Sequence, residues 1–108
     1  MNTKTLAQVL IASGTTPRTN NVLLGIAEAL PELTPYLSHP EIVAAVEQRT
    51  MTKAQAVVRA ARMAAADSGD DDRAEMISDI VESLTAGGLP LTKANIAAVA
   101  MDEFAVTL

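Results

Sequence analysis

The chain has no cysteine, no tryptophan, one histidine (His39) and two aromatic residues, Tyr36 and Phe104. Each shortage removes a class of chemistry. Without cysteine there is no disulfide framework and no thiolate to act as nucleophile or metal ligand. One histidine with no cysteine leaves a zinc site without its usual nitrogen and sulfur ligands. The aromatic platforms on which single-stranded nucleic acids stack are missing. The five glycines form no phosphate-binding loop. No apolar run approaches the roughly 20 residues that a membrane span requires. The run from Leu6 to Ala12 is broken by Gln8 and followed by polar residues, so it does not read as a signal peptide.

What is present is alanine, 20 of 108 residues, with Leu, Met, Gln, Glu and Arg around it. These are helix formers, and the alternating β-branched runs of strands are absent. The expectation is one all-α domain over residues 1–108, a bundle of five to six short helices with close, alanine-lined packing. A chain of this length buries about 65% of its unfolded surface and folds without a staple.

Gly, Pro and capping residues divide the chain. A first helix covers residues 5–13 and ends at Gly14, and residues 15–20 read as a loop. A second helix covers residues 21–30, stopped by Pro31, with a short turn or helix to residue 37. Ser38 or His39 caps a helix that starts near Pro40. Thr52 and Gln55 form a capping box for a helix to residue 66, ended by Asp67, Ser68 and Gly69. Residues 71–86 make the next helix, ended by Gly87, Gly88 and Pro90, and Thr92 caps a last one to residue 106.

Three of these helices carry the functional argument. The helix from Thr52 has one polar stripe, Gln55, Arg59 and Arg62, among seven alanines, and a helix so smooth is expected at the centre. The helix of residues 71–86 sets Met76, Ile77, Ile80, Val81 and Leu84 against Glu75, Ser78, Asp79 and Glu82, the pattern of a surface helix. The last helix shows Ala97, Met101, Phe104 and Leu108 on one face and Ile96, Val99 and Val106 on another. Either it threads the core and supplies the packed centre with the helix from Thr52, or one of its faces docks against another chain. On the second reading Ile96, Val99, Met101, Phe104, Val106 and Leu108 are the candidate partner-binding residues. The similarity of Thr52-Lys53-Ala54-Gln55 to Thr92-Lys93-Ala94-Asn95 is shared helix-start grammar, not a repeat.

Charge is unevenly placed. Arg49, Lys53, Arg59 and Arg62 lie in a stretch without acids, whereas Asp67, Asp70, Asp71, Asp72, Glu75, Asp79 and Glu82 follow with Arg73 as the single base. Carboxylates at a helix start and a polar outer face account for most of this. The sharper reading is that acidic helix and basic stripe are complementary. Between subunits they would make a head-to-tail contact leading to a ring or filament, and within one chain the pairing would be internal.

Nucleic-acid binding is disfavoured by a net charge of −5 and a pI near 4.6. Catalysis is disfavoured because His39 sits at a helix start and no partner group is evident. A calcium loop counted from Asp67 puts Ser78 where the bidentate glutamate belongs. No catalytic residue, cofactor or metal is expected, and no membrane partner. The expected function is a non-catalytic structural or assembly subunit acting through helix surfaces in a homo-oligomer or larger complex, a composition common among accessory proteins of bacteria and bacteriophages. The alternative is an acidic inhibitor or adaptor that presents Asp70, Asp71, Asp72, Glu75, Asp79 and Glu82 to a basic protein surface. Cytoplasm is the default location, with a virion also compatible.

Overall fold

Helix follows helix with no strand between them in the computed structural model, which describes residues Thr3–Leu108. The order is α1 (Thr3–Ala12), α2 (Pro17–Ala29), a 3-10 turn (Pro31–Leu33), α3 (Thr34–Leu37), α4 (Pro40–Glu47), α5 (Lys53–Ser68), α6 (Asp71–Ala86) and α7 (Lys93–Phe104). The all-α expectation holds, but the described residues contain seven α-helices where five to six were expected.

The extra element and the shifted boundaries have local causes. Thr16 caps α2, accepting from the Thr19 N–H at 3.4 Å, and Pro17 follows in the first turn, so α2 starts four residues before the expected Asn21. Pro31 and Pro35 each stand at the start of a short segment rather than breaking one, which divides residues 31–37 into a 3-10 turn and α3. The His39 ring nitrogen Nδ1 accepts from the Glu41 N–H at 3.2 Å and so caps α4. The Thr52 capping box is complete: the Gln55 N–H donates to Thr52 Oγ1 at 3.1 Å, and the Thr52 N–H donates to Gln55 Oε1 at 2.8 Å. α7 stops at Phe104 because Ala105 turns left-handed, with φ 53°.

α5 is the hub, packing on α6 most extensively and also on the 3-10 turn, α3 and α4. Its alanines make this possible: Ala56, Ala60, Ala61 and Ala65 are buried beside Val57, letting neighbouring axes come close. The large side chains come from the surrounding elements, with Leu6, Leu10, Leu23, Ile26, Leu30, Leu33, Leu37, Ile42, Ile77, Ile80, Leu84 and Ile96 fully buried. Each such side chain contributes on the order of 2 kcal/mol on leaving water. The expectation that α7 shares the centre with α5 is corrected. α7 packs on α6 and α2 as a flank, and only Ile96 and Ala100 are buried on it.

The accessible surface is 6059 Å², against roughly 5,700 Å² for a folded monomer of this mass. The radius of gyration is 12.9 Å, against about 13 Å for a self-contained domain of this length. One copy therefore hides nearly as much surface as a free-standing domain does.

Candidate functional site

Gly69, left-handed at φ 79°, and Asp70 are the whole connection between α5 and α6, so the two helices form an antiparallel hairpin. Asp70 is occupied as the cap of α6, its Oδ1 accepting from the Arg73 N–H at 3.0 Å. Asp71 and Asp72 fill the first turn, where the helix dipole favours carboxylates.

On its outer side the hairpin leaves a groove of about 560 Å³. Ala54 and Val58 of α5 and Val81 and Ala86 of α6 supply its apolar lining. Gln55, Arg59 and Arg62 rise along one rim, and Ser78, Glu82 and Thr85 along the other. Toward the turn the same face continues as a second depression lined by Arg62, Ala65, Ala66, Asp71, Ala74, Glu75, Ser78 and Asp79. One face of one hairpin thus carries a basic edge and an acidic edge with small apolar groups between them.

The two edges do not neutralise each other. Among the described residues no ion pair joins Arg59 or Arg62 to Glu75, Asp79 or Glu82. Arg59 reaches sideways to Glu41 of α4, 3.9 Å away, and both side chains are exposed. Such a pair contributes little in water. Acidic helix and basic stripe are therefore neighbours within one chain, yet they stand on opposite sides of a groove.

The residues expected on the C-terminal helix are dispersed. Ile96 is fully buried and cannot meet a partner while α7 stays packed, which corrects its assignment as a contact residue. Val99, Phe104 and Leu108 are half-buried against the protein's own core, and Val106 is half-buried beyond the end of α7. Met101 alone of the six is open, at 48% exposure. The expected acidic residues, by contrast, are all exposed: Asp70, Asp71, Asp72, Glu75, Asp79 and Glu82.

The groove residues Ala54, Val58, Val81 and Ala86 were not expected as contacts. Their signal was present in the polar stripe of α5, since Ala54 and Val58 adjoin Gln55 and Arg59 and an exposed stripe marks the open side of a hub helix. What the sequence withheld was which neighbour of α5 flanks that stripe.

A second cleft lies on the other side of the hairpin, between it and the segment holding the 3-10 turn and α3, lined by Glu32, Tyr36, Asp67 and Arg73 among others. Arg73 Nε donates to Glu32 Oε1 at 2.7 Å with both side chains about one-third exposed. The Tyr36 hydroxyl donates to Asp67 Oδ2, and that hydrogen bond, with some burial and the nearby negative charge, holds the phenol above its usual value of 10.0. These groups are paired with one another, tying residues 31–37 to the turn of the hairpin. Asn20 Oδ1 is buried without a hydrogen-bond partner among the described residues. The described residues bring no three His, Cys, Asp or Glu side chains together in a metal-binding group, and no described helix is long and apolar enough to cross a membrane. No family model, curated protein or solved structure matches the chain.

Proposed function

We propose that this chain is a non-catalytic structural or assembly subunit that associates through helix surfaces. The observation that carries the reading is the outer face of the α5–α6 hairpin, where a groove floored by partly buried Ala54 and Val58 and buried Val81 lies between charged rims. Small side chains admit another helix closely, and charged rims fix its orientation more than they add affinity. Met101 on α7 is a further exposed apolar side chain.

The acidic-adaptor reading is weaker on the same geometry. An adaptor for a basic protein surface needs a face of one sign, whereas Arg59 and Arg62 share a face with Glu82, and Arg62 shares its depression with Asp71, Glu75 and Asp79. The test is the native mass in an unfractionated extract of the cell that makes the protein. The chain is expected to run well above its own 11.3 kDa. Migration as a lone protomer in that extract removes the reading.

A further inference from the structure

We infer that the occupant of the α5–α6 groove is the same groove of a second copy, the two hairpins closing face to face about a two-fold axis into a four-helix bundle. This rests on the assembly reading above and names its partner and symmetry.

The geometry follows from the hairpin. Residues equally far from the turn at Gly69 and Asp70 stand at equal height, so Arg62 is level with Ile77, Arg59 with Ile80 and Gln55 with Leu84. Asp79 thus lies within one helical turn of both arginines, and Glu82 within one turn of Arg59. A two-fold axis running along the hairpin in the plane of contact lays α5 of each copy over α6 of the other without changing height. Arg59 and Arg62 of one copy then meet Asp79 and Glu82 of its partner, and the contact occurs twice by symmetry.

Three observations favour a second copy over an unrelated helix. The face carries both members of the charge pattern, so it is complementary to itself, as an isologous contact requires. The arginines and carboxylates concerned are all exposed and unpaired across the groove, so the pairs form between copies with only the exposed Arg59–Glu41 contact to displace. The centre of the face is built from Ala54, Val58, Val81 and Ala86, small enough for helix axes to approach at the 8–10 Å spacing of packed helices. The head-to-tail contact expected from sequence is not needed, because both edges stand on one face and closure ends at two.

Sedimentation equilibrium on the purified chain tests this with two reversed variants. Arg59→Glu with Arg62→Glu makes both edges acidic, and Asp79→Lys with Glu82→Lys makes the part of the α6 edge that meets those arginines basic. All four positions are exposed, so circular dichroism is expected to show both variants folded. The wild type is expected at twice 11.3 kDa. Each variant alone is expected to lose at least about a hundredfold in self-association at low salt, and an equimolar mixture of the two to recover a 1:1 dimer. A wild type that stays monomeric up to millimolar concentration overturns the inference. So does a dimer indifferent to both reversals, or a pair of reversed variants that fail to associate when mixed, whether or not each is folded alone. None of these removes the assembly reading, which falls only if the native extract yields a lone protomer.

Discussion

Tyr36 is the single tyrosine in a chain without tryptophan, so its ultraviolet phenolate absorbance reports one group alone. Its hydrogen bond to Asp67 exists only while the phenol is protonated, and ionisation would set two negative charges side by side. The folded-state value therefore lies above 10.0, and the stability this contact supplies is intact below pH 10.0 and lost as pH rises through the folded value. The absorbance midpoint is predicted above 10.0 in the wild type and near 10.0 in Asp67→Ala. An unchanged midpoint in that variant would remove the coupling. Two other residues carry backbone strain: Arg49 at φ 62° and Ala105 at φ 53° lie in the left-handed region without being glycine. Arg49→Gly and Ala105→Gly are each predicted to raise stability by about 1 kcal/mol in urea unfolding, since glycine is free of the Cβ clash there. Neither site was legible beforehand, because arginine and alanine give no sign of a left-handed turn.

At the scale of the element, α5 shows how alanine specifies a hub. Ala60 is fully buried, so Ala60→Leu is predicted to cost about 1–3 kcal/mol by overpacking, whereas Ala66→Leu, at an exposed position, stays within about 0.5 kcal/mol. Equal costs at both sites in thermal or urea melts would deny α5 its central place. The cap is separable from the packing: Thr52→Ala is predicted to lose about 1 kcal/mol and Thr52→Ser to restore most of it. The capping box and Gly69 made α5 readable from sequence, and the two-sided pattern of Ile77, Ile80, Val81 and Leu84 did the same for α6. Residues 15–20 read as a loop in the sequence, where Thr19 and Asn20 are poor helix formers. Burial of Thr19 against the fold, with Thr16 and Pro17 ahead of it, outweighs that local preference. The wheel of α7 is doubly apolar, but a wheel does not say how far a helix sinks, and α7 sinks only to Ile96 and Ala100.

For the whole molecule, Gln55, Arg59 and Arg62 of α5 and Glu75, Asp79 and Glu82 of α6 are exposed, on the sides of their helices where the periodicity puts them. What sequence could not supply was their relative placement. The two-residue connection sets α5 and α6 side by side, which turns two separate stripes into the two edges of one face. Because a single copy already hides nearly as much surface as a free-standing domain, a dimer of this kind is expected to dissociate on dilution into folded monomers rather than to unfold. The absence of cysteine makes the juxtaposition directly testable by disulfide formation between labelled copies. Gln55 and Thr85 are exposed rim residues of α5 and α6 at nearly equal height. When Gln55→Cys and Thr85→Cys copies are mixed and gently oxidised, the mixed disulfide between the two is predicted to form well ahead of either like-with-like product. Oxidation that yields no cross-linked dimer, or all three products at equal rates, would contradict a second copy seated across the α5–α6 face.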